Sequence, residues 1–242
     1  MSQKKVAILF YGLTRSLRNI YDNFKSNIVD ELTLHGYEYD TFIHTFILQN
    51  PYINPWSGET VSHYDNTAYQ ILNPRDFVLE YQNEVETQLK IPQQYFSKLG
   101  DWAGCATTPQ MKGYLVRNMV LALYSKRKVV ELFEKYNQTT KYDYVIITRP
   151  DQMFHTKLNV NSFKLLNKRN IIIPREHGYH GVNDRFCIAH PFNAIQYGRA
   201  FFKLKKYSQQ KSIISEVYMK DFLNALGLNI IFSPMKTQLV RC

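Results

Sequence analysis

No apolar run in this sequence approaches the ~20 residues needed to cross a bilayer; the longest are strand-sized. The N-terminal Met-Ser-Gln-Lys-Lys leads straight into Val6–Phe10, which is too short for a signal-peptide core and has no small-residue cleavage site. A soluble, cytoplasmic protein without a transmembrane segment is therefore expected. Cysteine is scarce: Cys105, Cys187 and Cys242 are odd in number, widely spaced and form no C-x-x-C pair. That argues against a disulfide framework or a structural zinc and for free thiols in a reducing compartment. There is no G-x-G-x-x-G and no Walker loop, which speaks against a dinucleotide fold or a P-loop kinase. Internal repeats and low-complexity tracts are absent too, as are helix-turn-helix, RRM and zinc-finger signatures.

What is present suits one α/β domain. The chain has 242 residues, 45% of them hydrophobic and 14% aromatic, ample for a core. Its formal charge of +10 points to an anionic partner: nucleic acid, an acidic membrane surface or phosphate-bearing small molecules. Much of the excess sits on helix faces and in Phe202–Lys211, where a basic solvated surface is the plainer explanation.

Short apolar runs rich in β-branched and aromatic residues predict strands at Val6–Tyr11, Thr41–Phe46, Phe77–Glu80, Tyr144–Thr148 and Asn170–Pro174, with shorter ones at Phe186–His190 and Asn229–Phe232. Helical spacing predicts Ser16–Thr33, Pro109–Tyr136 and Ser215–Leu226, the last capped by Ser212 or Ser215. Residues 47–76 read as a long irregular excursion of the kind used for binding or as a lid. Strands alternating with helices imply a mixed, mostly parallel sheet flanked by helices, with ligands beyond the carboxyl ends of the strands. Three polar clusters follow strands: Gly12–Arg15, His44–Thr45 and Arg149–Asp151.

Each cluster has a chemical reading and a plain one. Gly12, Thr14 and Arg15 stand before a helix, where backbone amides and a guanidinium suit a diphosphate, or they form an ordinary turn. Asp151 is held just past a strand end by Pro150, where it could ligate Mg²⁺ or Mn²⁺ beside phosphate oxygens, cap a turn, or pair with Arg149. In "HGYHGVNDRF", Gly178 and Gly181 permit close approach and unusual dihedrals. His177, His180, Asn183 and Arg185 there supply partners for sugar hydroxyls or phosphate, and Asp184 can accept a proton; a loop stitched by an Asp–Arg pair is the alternative. A zinc site from His177, His180 and His190 fits no standard spacing. Glu216 begins a helix, where it can meet the dipole or serve as a second carboxylate. Arg117 and Asn118 are either structural hydrogen bonders or reach a nucleotide.

Taken in order, "ILFYGLTRSL", "DTFIHTF", a long helix into "YDYVIITRPD", then "IIIP" and "GVNDRF" resemble small viral and bacterial glycosyltransferases of the GT-A type, over roughly the whole chain. The resemblance implies a GT-A-like domain over residues 1–242: a nucleotide-binding half to about residue 151, then an acceptor-binding half. It implies sugar transfer from a nucleotide-diphosphate donor, such as a UDP-sugar, to a carbohydrate or other hydroxyl, with Mn²⁺ or Mg²⁺. Where that family carries Asp-x-Asp, this chain has Arg149-Pro150-Asp151, so only Asp151 carries over as metal or diphosphate ligand. Gly12, Thr14 and Arg15 carry over as nucleotide contacts, Asn183 and Asp184 as sugar or acceptor contacts, with Asp184 the first choice of base and Glu216 the second. Two rivals remain: a catalytically inactive relative that only binds, and, from the charge, a nucleic-acid-binding protein.

Overall fold

In strand β1 (Lys5–Tyr11) every residue from Val6 to Tyr11 is buried. Ala7, Leu9 and Tyr11 pack into one core cluster, and Val6, Ile8 and Phe10 into a second. Side chains alternate across a strand, so β1 lies inside a sheet covered on both faces. This computed structural model describes residues 3–61, 64–91, 93–98, 100–102 and 104–241.

After β1 come α1 (Leu17–Phe24), a π-helical segment (Lys25–Val29) and α2 (Asp30–Leu34), then β2 (Glu38–Ile47). The excursion expected to be irregular holds a hairpin of β3 (Tyr52–Asn54) and β4 (Glu59–Val61), and a 3₁₀ turn at Ala68–Leu72. Next are β5 (Asp76–Tyr81), α3 (Gln82–Leu89), α4 (Pro109–Asn137), β6 (Tyr144–Thr148), β7 (Gln152–Phe154) and β8 (Asn170–Pro174). The chain ends with β9 (Phe186–Ala189), α5 (Pro191–Gly198), α6 (Ala200–Gln210), α7 (Ser215–Ala225), β10 (Asn229–Ser233) and β11 (Thr237–Leu239). All seven expected strands and three expected helices occur within a few residues of their predicted bounds, and α3, α5 and α6 are additional. Ser215 does not cap α7, because Ile214 holds the cap position. Cys187 is buried and Cys105 exposed, both as free thiols, and Cys242 lies outside the described residues.

Seven strands form one mixed sheet in the order β10-β8-β9-β6-β1-β2-β5. Every pairing is parallel except those of β9, which runs against β6 and β8. The reason is the short link from β8 to β9, residues 175–185, which carries no helix; a parallel crossover needs more chain, usually helical. From β1 the chain builds outward through β2 to β5, then returns to place β6 on the other side of β1. The order reverses there, and the carboxyl ends of β1 and β6 flank the crevice where α/β sheets bind ligands.

Helix α4 covers one face of the sheet. Thr108 caps it by accepting from the Met111 amide at 3.1 Å, and Pro109 occupies the first turn, where no donor is lost. Among the described residues no helix is long and apolar enough to cross a membrane. Helices α4 and α5 touch closely: a Cβ added at Gly198 would lie 2.6 Å from Val130 Cβ, and Val130 is itself buried. Gly198→Ala should therefore lose stability by ~1–3 kcal/mol from overpacking, against the ~1 kcal/mol that alanine gains over glycine in a helix. Val130→Ala in the same chain should recover part of that loss. Urea denaturation of the two single variants and the double variant checks this, and strictly additive losses would contradict the contact.

Candidate functional site

Strand register assembles the site. Phe10 of β1 pairs with Thr148 of β6, and Thr148 pairs with Phe186 of β9. Gly12 and Arg149, just past their strand ends, and Arg185, just before β9, are therefore drawn to the same carboxyl edge. They open onto one cleft of about 970 Å³, including its mouth, which also takes in Arg15, Asp184, Ser215, Glu216 and Arg241. Tyr52, Trp56 and Trp102, together with Asn118, complete much of the wall, and both tryptophans of the chain are among them.

Behind the wall lies a buried ion-pair network. Asp151 is fully buried and is not part of the cleft lining. Arg149 grips it bidentately, Nε to Oδ1 at 2.8 Å and Nη2 to Oδ2 at 2.7 Å, and Arg15 Nη2 donates to Oδ2 at 2.6 Å. Arg15 Nη1 lies 2.7 Å from both oxygens of Glu59, which also accepts from Ser57 and has Arg241 Nε at 3.9 Å. Burial raises the Asp151 pKa, but Arg149 and Arg15 more than offset it and hold the carboxyl well below the usual carboxylate range. Arg241 is brought to the cleft by β11, which pairs with β7, and by the Val240 amide donating to the Asp151 carbonyl at 2.9 Å. No local motif marks Arg241; its long-range strand pairing does.

The second centre is a pair of carboxylates. Ser215, at the start of α7, donates its hydroxyl to Asp184 Oδ2, and Glu216 follows directly. Glu216 is 7% exposed and its pKa is pushed up to about 7, first by burial and then by the Asp184 charge. What brings the 175–185 loop so close is Gly181. A Cβ there would lie 2.0 Å from the Glu216 carbonyl oxygen, and the next amide, Val182, donates to that oxygen at 3.1 Å. The unusual dihedrals expected of the two glycines fall instead on their neighbours: His177, Tyr179 and His180 have φ of 58°, 38° and 71°. Gly181 serves close approach.

Beneath Asp184 sits Lys126 of α4, a residue that sequence reasoning missed. Its Nζ donates to the Asp184 carbonyl at 2.9 Å and lies 4.7 Å from the Tyr11 ring centroid and 4.6 Å from that of Tyr197. Tyr11 donates to the same carbonyl at 2.8 Å, with the Tyr197 hydroxyl at 3.4 Å. Burial lowers the Lys126 pKa to about 8 against the pull of Asp184. Burial also pushes the nearby Cys187 thiol up to about 12 and leaves it unreactive. A basic residue among apolar helix positions reads as a surface lysine until its neighbours are known.

Several expected site residues stand elsewhere. Thr14 is buried, its amide and hydroxyl both directed to the Tyr64 hydroxyl. His44 is fully buried between Ser125 at 2.7 Å and Glu80 at 2.8 Å, and burial biases it toward the neutral form. Arg117 pairs with Glu86 at 2.7 Å in a neighbouring cleft. Asn183 is fully buried and stitches its loop, donating to the Glu176 carbonyl at 3.0 Å and accepting from the Arg185 amide at 2.9 Å. His177 is tied to the Thr237 carbonyl at 3.0 Å and His180 is exposed; neither lines the cleft. His190 caps α5 through its Nδ1, 3.2 Å from the Phe192 amide. None of Thr14, His44, Arg117, His177, His180 and Asn183 lines the cleft that holds Arg149, Asp184 and Glu216. Gly12, with φ 97°, keeps its place at the cleft, though its amide turns inward to Ser125 at 2.7 Å.

A divalent cation does not fit these side chains as they stand. Both oxygens of Asp151 are held by guanidiniums, Glu59 is held likewise, and a dication on either acid would meet the charges of Arg15 and Arg149. Among the described residues no group of three or more His, Cys, Asp or Glu could hold a metal ion.

Removing one partner of a buried ion pair strands the others. Asp151→Asn should accordingly cost ~3–5 kcal/mol at neutral pH. Because the folded pKa is depressed, the wild-type contribution is complete above the unfolded value of ~3.9 and is lost as pH falls below it. Denaturant unfolding at pH 7 and at pH 3 should show the variant's deficit shrinking in acid.

In comparison with known proteins, no family model matches the chain and no curated protein matches its sequence.

Proposed function

We propose that the protein is a glycosyltransferase of GT-A type, which moves a sugar from a nucleoside-diphosphate donor to a hydroxyl acceptor. The observation that carries this reading is the juxtaposition, in one cleft at the switch point of the sheet, of four arginines with two carboxylates. Arg15, Arg149, Arg185 and Arg241 line it together with Asp184 and Glu216. Guanidiniums suit phosphate oxygens, and a carboxylate poised near neutral pH suits proton abstraction from a hydroxyl. The ordered segments that resemble those transferases support the same reading.

Glu216 takes the role of base, reversing the order expected from the sequence. An acceptor oxygen attacks the anomeric carbon and gives its proton to a Glu216 carboxylate oxygen. The bond from that carbon to the donor's β-phosphate oxygen breaks, and its electron pair leaves with the nucleoside diphosphate. Arginines fixed beforehand stabilise the charge that grows there, without reorganising. Asp184, held by Ser215, stands beside Glu216 and raises its proton affinity. Trp56 and Trp102 offer flat apolar faces for a base or a sugar ring.

Glu216→Gln should reduce transfer by ~10²–10⁴-fold while donor affinity, read by thermal shift over a panel of nucleotide sugars, holds. In wild type, kcat/KM should rise with pH through a step near 7, because the base must be deprotonated. Asp184→Asn should move that step to lower pH, since the charge that raises Glu216 is gone. No stabilisation by any nucleotide sugar, with no hydrolysis of one, would sink the proposal.

A further inference from the structure

We infer that the donor's diphosphate is bound without a divalent cation. Arg149 and Arg241 hold it, Arg15 adds a third positive charge from behind, and Asp151 and Glu59 act as buried counter-ions that fix the guanidinium planes. The inference rests on the reading of the donor as a nucleotide sugar, and deepens it.

Three observations carry it. First, the acid expected to meet a metal is on the wrong side of the wall: Asp151 has no exposed surface, and the arginines stand between it and the cleft. A cation could reach it only by displacing a bidentate Arg149 pair and the Arg15 contact at 2.6 Å. Buried guanidinium–carboxylate pairs of this kind are costly to break, because each charge left behind is uncompensated.

Second, the network is not neutral. Arg15, Arg149 and Arg241 carry three positive charges against the two negative charges of Asp151 and Glu59, leaving one in excess (3 − 2 = 1). Burial and the charges of Arg15 and Arg149 disfavour the cationic form of Arg241, with Glu59 and Asp151 only partly offsetting them. An anion bound among these groups relieves that strain, whereas a dication adds to it. Arg185 brings a further guanidinium to the same cleft, where its charge is felt by Glu216.

Third, the pairing orients the donors. Arg149 spends Nε and Nη2 on Asp151, and Nη1 has no hydrogen bond to protein among the described residues, although the residue lines the cleft. Among the described residues the Arg241 side chain is tied by its 3.9 Å approach to Glu59, and it is 34% exposed. A planar guanidinium held from behind on one edge presents its other edge to phosphate oxygens at little further entropic cost.

Asp151 is then a positioning residue, and Arg241 is the residue to test, because its loose pairing should let a variant fold. Calorimetric titrations of the intact protein with UDP, GDP, ADP and inorganic pyrophosphate, each in EDTA and again in excess Mn²⁺, make the test. At least one nucleoside diphosphate should bind in EDTA, with an affinity that Mn²⁺ changes by less than about threefold. Arg241→Gln, shown to be folded by its thermal unfolding, should bind it about tenfold or more weakly, as expected when a charged hydrogen bond is lost. Binding that vanishes in EDTA and returns with Mn²⁺ overturns the clamp while leaving the nucleotide-sugar reading intact. Undiminished metal-free binding by Arg241→Gln also overturns it. Binding of pyrophosphate but of no nucleoside diphosphate supports the anion clamp and removes the nucleotide donor. No binding under either condition removes both.

Discussion

The bidentate grip of Arg149 on Asp151 organises this end of the molecule. It joins the first and third residues past β6, where the reversal of strand order opens a crevice, and its low-dielectric setting makes it costly to undo. Arg15 is recruited from the β1–α1 turn to the same carboxylate, and through Arg15 the network reaches Glu59 on the small hairpin. The C-terminal segment joins by its backbone, Val240 to the Asp151 carbonyl and Ser16 to the Val240 carbonyl. Four stretches distant in sequence are thus bound to one another by a polar interior. The strongest electrostatic groups are spent on architecture, and what they present to the cleft is positive.

A different constraint builds the opposite wall. The link from β8 to β9 is too short to cross over, so it returns as a loop at the carboxyl edge and delivers Asp184 and Arg185 there. Gly181 lets that loop meet the backbone of α7 at a distance no side chain would allow, which puts Asp184 next to Ser215 and Glu216. Three positive φ values at non-glycine residues sit in the same loop, a local cost of the kind tolerated where surrounding contacts over-determine the chain. From below, Lys126, Tyr11 and Tyr197 converge on the Asp184 carbonyl, so the carboxylate stands on a fixed base.

Much of the fold was legible in the residues. The runs Tyr144–Thr148 and Asn170–Pro174 coincide with β6 and β8, because both are continuous apolar stretches bounded by turn residues, as strands buried on both faces must be. Helix α6 was less legible, since its apolar positions are interleaved with the basic cluster around Lys203–Lys206. Arg15, Arg149, Asp184, Arg185 and Glu216, singled out because polar residues crowd the ends of apolar runs, line one cleft in the structure. His44, Asn183 and Thr14 were singled out for the same reason and are buried, since a polar residue at a strand end looks alike whether it turns outward or satisfies a buried partner. Lys126, Arg241 and the tryptophans of the wall left no local signal.

Periodicity and apolar content settled the α/β class and the places along the chain where polar residues follow buried strands, because hydrophobic patterning is local and repeats at the period of each element. Which polar groups meet was settled by register, by the antiparallel return of β9 and by contacts such as Gly181 on α7, all of which join residues far apart in the chain. An acid reads as a ligand until the charges packed around it are known. For Asp151 those charges come from Arg15 and Arg149, and only folding brings the first of them within 2.6 Å.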